Sequence, residues 1–109
     1  MHSTFAEMAR RHELGYQVTS EGTPVWPPRG DPSLRWLRSA GAGTVFSVTV
    51  LRPRGGDPRS LCLVTLDEGF RMMSAVEGAD PAQVRIGDRV LVSWAPGDPP
   101  LPVFRPIPA

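Results

Sequence analysis

The sequence predicts a mostly β fold: a small five-stranded barrel, preceded by an N-terminal helix and an irregular Pro-rich arm. The 109 residues are enough for one small domain. Gly and Pro account for 11 and 13 residues, and both types disfavour helix interiors. From Gly43 onward, short runs rich in β-branched residues alternate with turn sequences. We therefore divide the chain into a helix and arm (residues 1–40) and a barrel (residues 41–109).

The first predicted element is a short amphipathic helix over Ser3–Leu14. Thr4 and Glu7 have the spacing of a capping box, and Gly15 follows as a stop signal. The apolar face is expected from side chains at i, i+3, i+4 and i+7, which are Phe5, Met8, Ala9 and His12. Because so small an apolar face does not stabilise an isolated helix, the helix must dock on this domain or on a partner.

The arm, Tyr16–Ala40, contains four prolines and few apolar runs, so we expect irregular structure there. Trp26 and Trp36 are its large apolar residues. Disordered linkers rarely carry two tryptophans, which indicates that the arm is ordered. The two side chains either cover the core or face a partner, since Trp is frequent at binding hot spots.

Five strands are expected in the barrel. A turn at Asp67-Glu68-Gly69 joins the second and third strands as a hairpin. Asp80 and Pro81 have the pattern of an N-cap followed by the first residue of a helical turn. Five short strands, with a helical turn before the fourth, fit a Greek-key barrel of the OB type. The expected strands are Thr44–Leu51, Leu61–Leu66, Phe70–Val76, Arg89–Ala95 and Leu101–Arg105.

The first of these strands has alternating residues that we expect on opposite faces of the sheet. One face would carry Val45, Ser47 and Thr49, and the other would carry Phe46, Val48 and Val50.

Charge and cysteine content exclude several classes of function. All 12 basic residues are Arg, which excludes a Schiff-base lysine or a phosphate-loop lysine. The net charge of +1 provides no overall attraction for nucleic acid or an anionic membrane. Cys62 is the single cysteine, which excludes an intrachain disulfide and a cysteine-built zinc site. No signal-peptide pattern and no run of about 20 apolar residues is present, so we expect a cytoplasmic protein without membrane contact.

Residues with catalytic potential do not form a recognisable set. His2 and His12 lie in the N-terminal region, whereas Cys62 is expected as a buried apolar residue of a strand. The carboxylates of Asp67 and Glu68 are expected to be solvated in their turn. No metal ligands cluster in the sequence. A binding or accessory role is therefore favoured over an enzyme.

The strongest basic cluster is a loop that carries Arg52, Arg54 and Arg59. These side chains are either solvated or contact the phosphates of a nucleic acid or of coenzyme A.

Most of the chain resembles a known family of small proteins. In that family a zinc ribbon precedes an OB-fold, and its members accompany thiolase-like enzymes; it is called the acyl-CoA-associated OB-fold family and was formerly a domain of unknown function. The segments that carry the resemblance are Gly22-Thr-Pro-Val-Trp-Pro-Pro-Arg29, Trp36, Gly41–Val50, Val64–Gly69, Ile86–Val90 and Pro102-Val-Phe-Arg105.

One departure from the family is large. Members usually carry two Cys-x-x-Cys pairs that flank the Pro-Pro-Arg stretch. The first pair would fall on Val18 and Glu21, and the second would follow Arg29, where this chain has no Cys. We therefore expect a degenerate ribbon without zinc, in which Trp26 and Trp36 hold the arm by packing.

The resemblance implies a non-catalytic accessory subunit of a thiolase-like enzyme that acts on acyl-CoA thioesters in lipid or steroid metabolism. In such a hetero-oligomer the chain helps assembly and shapes the acyl-CoA channel. It binds no cofactor alone, although a coenzyme A thioester is implied at the shared interface. The expected partner or acyl-CoA contacts are Trp26, Pro27, Pro28, Arg29, Phe104 and Arg105, and the expected phosphate contacts are Arg52, Arg54 and Arg59.

Two other functions compete with this interpretation. A nucleic-acid-binding OB module would use the arginine loop and stack bases on strand aromatics, for which the candidates are Phe46, Phe70, Trp94 and Phe104. A small enzyme such as a thioesterase would need His12 or Cys62 as a reactive group.

Overall fold

The computed structural model describes residues 2–108, which form one α-helix and two β-sheets. The helix and a three-stranded sheet come first, and a five-stranded sheet follows. No helix within this range is long and apolar enough to cross a membrane. In chain order the elements are α1 (Ser3–Arg10), β1 (Leu14–Val18), β2 (Pro24–Val25), β3 (Arg35–Ser39), β4 (Ala42–Leu51), β5 (Arg59–Leu66), β6 (Arg71–Ser74), a 3₁₀ turn (Pro81–Gln83), β7 (Arg89–Ala95) and β8 (Leu101–Pro106).

Helix α1 is shorter than predicted and has a different N-cap. His2 Nδ1 accepts a hydrogen bond of 3.2 Å from the backbone N–H of Thr4. The predicted capping box of Thr4 and Glu7 is therefore wrong, because Thr4 already lies inside the first turn. The helix ends at Arg10, shortly before His12 adopts a φ of 58°. A right-handed helix cannot continue through this left-handed conformation.

The buried face of α1 contains Phe5, Met8 and Ala9, as predicted, but His12 is exposed beyond the helix end. Gly15 does not stop the helix, since it lies in β1. A Cβ atom at Gly15 would overlap Met8 Sδ. The absence of a side chain at Gly15 thus allows α1 to pack directly against β1.

The segment predicted as an irregular arm is a regular antiparallel sheet with the order β2-β1-β3. Strand β1 pairs with β3 over its whole length, starting with Leu14 opposite Ser39. The prolines do not prevent this pairing. Pro24 is the first residue of the edge strand β2, where its missing N–H is tolerated, and the other three lie between strands. The prediction of irregular structure is therefore wrong.

The five-stranded sheet has the order β6-β5-β4-β7-β8 and curls into a partly open barrel. Its neighbouring strands are antiparallel, whereas the closing contact sets Val76 parallel to Phe104. The Phe104 N–H donates to the Ala75 carbonyl at 2.9 Å, and the Glu77 N–H donates to the Phe104 carbonyl at 2.7 Å. A five-stranded, partly open barrel of this kind is an OB-fold, so the predicted fold class is confirmed.

Strand β7 and the helical turn before it match the prediction closely. The Asp80 carboxylate accepts a hydrogen bond of 2.9 Å from the Ala82 N–H, and Pro81 occupies the first position of the 3₁₀ turn. In the hairpin between β5 and β6, Gly69 has a φ of 106°, a conformation that favours glycine.

A β-bulge in β4 overturns the predicted alternation of side chains. Val45 lies opposite Val64, and the next paired residue is Ser47, opposite Leu63. Phe46 is left unpaired, and its ring lies half exposed under the Arg71 guanidinium at 3.7 Å. Because the bulge adds one residue, Val45 and Val48 both pack against the core instead of facing opposite sides.

Candidate partner-binding site

Trp26 lies where the N-terminal sheet meets the barrel. Its ring stacks on Phe70 with 5.1 Å between centroids and meets Phe5 edge-on at 5.8 Å. Phe70 also stacks on Tyr16 at 4.8 Å, and burial of Tyr16, followed by the charge of Glu68, raises the pKa of its phenol. Phe70 follows the barrel hairpin, whereas the other rings belong to the N-terminal part. These aromatic contacts therefore attach the N-terminal sheet to the barrel.

Pro27 and Pro28 continue from Trp26 along an adjacent hollow. Together with His2, Phe5 and Trp26 they line a cavity with a volume of about 360 Å³. Three of the six residues expected as partner contacts thus lie side by side. Apart from His2, the lining of this hollow is apolar.

Arg29 is held through its backbone by a buried glutamine. The Gln17 side-chain amide donates from Nε2 to the Arg29 carbonyl at 2.8 Å, and Gln17 Oε1 accepts from the Arg29 N–H at 2.7 Å. Gln17 is only 2% exposed, and the guanidinium-bearing Arg29 is exposed. Both hydrogen-bonding groups of the Gln17 amide are therefore used to attach the Pro-Pro-Arg segment to β1.

The residues at the family's cysteine positions do not fit a zinc ion. Val18 is buried and has no donor atom, and Glu21 is exposed. Within residues 2–108, no three His, Cys, Asp or Glu side chains are close enough to share a metal. Structural zinc takes four such ligands. In place of metal ligands, the Gln17–Arg29 hydrogen bonds connect β1 to the Pro-Pro-Arg segment. The aromatic contacts with Phe70 attach the sheet to the barrel.

A larger groove is lined by Trp26 and Phe5 together with residues of β5, β6 and β8. We call it the central groove; its cavity volume is about 510 Å³. Its apolar rim on the barrel consists of Leu61 from β5, Met73 from β6 and Leu101 from β8. Among residues 2–108, Arg59 is the only charged residue in its lining.

The arginine loop adjoins this groove. The loop between β4 and β5 carries the exposed residues Arg52 and Arg54, and it begins and ends at two lining residues, Leu51 and Arg59. Within residues 2–108, none of these three arginines makes a salt bridge. Arg59 thus lines the same groove as Trp26, and Arg52 and Arg54 lie in the loop that adjoins it.

Phe104 and Arg105 do not belong to this surface. Phe104 is completely buried in the barrel core, so its prediction as a contact residue is wrong. Alternate residues of a strand face opposite sides, and the interior position on β8 falls on Phe104. Arg105 is exposed, and its guanidinium lies over Gly78, where an added Cβ would come within 2.7 Å of it.

The residues with catalytic potential lie apart from one another. His12 is exposed, and its ring stacks on Trp94 at 5.6 Å. Cys62 is buried in the barrel core, as predicted, and its burial raises the pKa of the thiol. His2 serves as the helix N-cap. A buried thiol with a raised pKa is a poor nucleophile.

Asp67 and Glu68 lie in the predicted turn with Asp67 exposed, and both carboxylates also accept hydrogen bonds. The Asp67 carboxylate accepts two hydrogen bonds from the Arg89 guanidinium, at 2.7 and 2.8 Å, which lower its pKa. Glu68 accepts from the Ser39 hydroxyl at 2.7 Å and from the Ala40 N–H at 2.8 Å. This turn thus links the hairpin to β7 and to the junction between the two sheets.

Sequence reasoning missed Gln17 and the convergence of Leu61, Met73 and Leu101. For Gln17 a signal was present, since a polar residue between Tyr16 and Val18 interrupts an otherwise apolar segment. For the other three no local signal exists, because they belong to three different strands.

The fold defines a protein of the OB-fold class with a three-stranded sheet at its N-terminal side. More particularly, the chain belongs to the ChsH2 family. The family model described as "ChsH2, C-terminal OB-fold domain" matches residues 36–95, which is more than half of the chain. The family resemblance seen in the sequence is thereby confirmed.

Among solved structures, a chain described as "Ltp2-ChsH2(DUF35) aldolase" is similar over nearly its whole length. The TM-score is 0.82 and the sequence identity 31%, and the match covers 95% of this chain and 92% of that chain. The likeness therefore includes the N-terminal helix and sheet as well as the barrel.

Two curated relatives carry names that contain CoA. The 3-oxo-4,17-pregnadiene-20-carboxyl-CoA hydratase alpha subunit of Mycobacterium tuberculosis is 35% identical over 101 residues, 83% of this chain and 32% of the relative. A "Probable enoyl-CoA hydratase alpha subunit" of Thermomonospora curvata is 35% identical over 89 residues, 76% of this chain and 28% of the relative. The chain thus spans about a third of the length of these relatives.

Proposed function

We propose that this chain is a non-catalytic accessory subunit of a thiolase-like enzyme that acts on acyl-CoA thioesters. It helps to assemble the complex and shapes the acyl-CoA channel. The observation that carries the proposal is the match to nearly the whole of a chain in a structure described as "Ltp2-ChsH2(DUF35) aldolase". The family resemblance in the sequence supplies the thiolase-like class of the partner.

The arrangement of side chains supports a role without chemistry on this chain. Cys62 lies in the core with a raised thiol pKa, and His12 is stacked on Trp94 outside the barrel. A nucleophile needs a base within hydrogen-bond reach, and these two groups occupy separate environments. The contribution to the reaction is then positioning of the thioester and exclusion of water.

The hydratase activity in the relatives' names is not included in this proposal. The match spans 32% and 28% of those two subunits, so most of each relative has no counterpart in this chain. An activity that belongs to the unmatched part does not transfer with the OB-fold.

A nucleic-acid-binding role receives less support from the structure than from the sequence. Single-strand binding needs exposed aromatic faces on which bases stack. Phe70 and Phe104 are buried, Trp94 is half-buried with His12 stacked on it, and Phe46 lies under Arg71. The expected stacking platform is thus absent from residues 2–108.

The test is co-purification of the tagged chain from cells of its native organism, with the bound proteins identified by mass spectrometry. We expect a stoichiometric thiolase-like protein and acyl-CoA turnover by the complex but not by the isolated chain. Recovery of nucleic acid alone, or turnover by the isolated chain that is lost on replacing His12 or Cys62, would contradict the proposal.

Trp26→Ala provides a sharper test of the contact surface. Trp26 is half-buried and lines both hollows, so its loss should weaken the complex more than it lowers the melting temperature of the barrel. Trp94→Ala removes an equally large, half-buried ring outside these hollows and serves as the control. Parallel losses of affinity and stability in Trp26→Ala would assign Trp26 to the core alone.

A further inference from the structure

The central groove has the properties of a docking site for one kind of protein segment. Leu61, Met73 and Leu101 are 37%, 64% and 51% exposed, although all three are large apolar side chains. They come from β5, β6 and β8 and meet at one place. Neighbouring exposed apolar side chains of this size are typical of interaction surfaces.

The serine hydroxyls in the groove are already hydrogen-bonded within this chain, so the position where a charged group of a partner can pair is Arg59. The Ser60 hydroxyl is bonded to the backbone of Val76, and the Ser74 hydroxyl donates to the Pro102 carbonyl at 2.9 Å. In the part of the chain that the structure describes, Arg59 is the one charged lining residue, and Arg52 and Arg54 in the adjoining loop add further positive charge. An anionic group is complementary to Arg59, and in a protein segment that group is the carboxylate of an aspartate or glutamate.

The shape of the groove indicates a protein segment as its occupant. Pockets for small molecules enclose most of the ligand surface, about 70–90%. Here Met73 and Leu101 are more than half exposed at the rim, so a ligand in the groove would stay open to solvent on one side. When the bound segment belongs to a folded partner, the rest of that partner shields its outer side from solvent.

We propose that the central groove binds a segment of the larger subunit in which large apolar side chains lie next to an aspartate or glutamate. The apolar side chains pack on Leu61, Met73 and Leu101, and the carboxylate pairs with Arg59. This inference rests on the proposed function for the identity of the subunit, whereas the lining and charge of the groove do not depend on it.

The test is site-specific photo-crosslinking in cells of the native organism. The photoreactive residue p-benzoyl-phenylalanine replaces Met73 in one variant and Ile86 in the control. Ile86 is 70% exposed, and it lies outside the groove. We expect a cross-link from position 73, absent from position 86, to an apolar peptide with a neighbouring carboxylate in a thiolase-like protein.

The outcomes separate the two proposals. A cross-link from position 73 to such a peptide in another class of protein supports the groove and overturns the proposed function. Equal cross-linking at both positions, or none at position 73, overturns the proposal that the central groove binds a partner segment. Co-purification of a thiolase-like protein with the unmodified chain would in that case still uphold the function.

The charge pairing has its own readout. Arg59→Glu should raise the Kd for the cross-linked protein by about tenfold or more, and replacing the partner's carboxylate with Arg should restore binding. Arg85→Glu reverses the charge of an exposed arginine outside the groove and should leave the Kd unchanged. Equal effects of the two reversals, or no rescue, would contradict the pairing.

Discussion

The side-chain amide of Gln17 binds the backbone of Arg29 on both sides, through hydrogen bonds of 2.8 Å to its carbonyl and 2.7 Å from its N–H. Gln17 directly precedes Val18, the position at which the family's first cysteine would fall. The link joins β1 to the Pro-Pro-Arg segment, the stretch that the family's two Cys-x-x-Cys pairs would flank. A neutral amide thus stabilises this sheet where the metal ligands are missing.

Loss of this amide should weaken the N-terminal sheet. Gln17→Ala removes both hydrogen bonds to Arg29 from a buried position, so we expect the free energy of unfolding to fall by about 1–3 kcal/mol. Gln83→Ala, at an exposed position of the 3₁₀ turn, should change it by less than about 0.5 kcal/mol. Denaturant titration of both variants measures the difference, and similar values for the two would remove the role assigned to Gln17.

Metal removal should leave the protein unchanged. Because Val18 offers no ligand atom and Glu21 is exposed, we expect no stoichiometric zinc in the purified protein and no shift of its melting temperature with a chelator. A family member that retains both Cys-x-x-Cys pairs, treated in the same way, should lose stability. A chelator-induced decrease that added zinc reverses would show that this chain binds the metal after all.

The Asp67–Arg89 pair should contribute stability at neutral but not at strongly acidic pH. Hydrogen bonds from Arg89 hold the pKa of Asp67 below its unfolded value of about 3.9. The contribution is therefore present above that value and is lost as the pH falls through the lowered pKa. Asp67→Asn should be less stable than the wild type at pH 7, with a difference that disappears at low pH.

Asp57→Asn is the matched control for this pair, since Asp57 lies in an exposed loop and makes no salt bridge within residues 2–108. Its stability should follow that of the wild type throughout the acidic range. A difference for Asp67→Asn that stays constant from pH 7 to pH 2 would mean that the ion pair is not its origin.

Cys62 should be protected from thiol reagents and should make stability sensitive to alkaline pH. Burial raises the pKa of its thiol above the unfolded value of about 8.5. Folding then favours the neutral thiol, so the stability present below that value is lost as the pH rises through the raised pKa. Labelling with a disulfide reagent at pH 8 should be slow in the native protein and rapid in denaturant. The variant Cys62→Ala should lose less stability than the wild type when the pH is raised. Rapid labelling of the native protein would place Cys62 at the surface.

Local signals in the sequence were sufficient for most of the barrel. The β-branched runs, the Asp67-Glu68-Gly69 turn and the Asp80-Pro81 cap each act within a few residues, so their positions follow from the chain itself. Similar reasoning failed for the N-terminal arm, because the pairing of β1 with β3 joins residues about twenty positions apart. Local proline content carries no information about such a partner.

For the candidate site, the sequence by itself determined the residue types: two tryptophans in the arm and an arginine-rich loop. It also showed that the histidines and the cysteine form no recognisable catalytic set. The tertiary structure decided which of them share a surface. It brought Trp26 and Arg59 into the lining of one groove, added Leu61, Met73 and Leu101 from separate strands, and buried Phe104 in the core. The physical reason is that a surface side chain on a strand is defined by register, bulges and barrel closure. Each of these depends on contacts between segments distant in the chain.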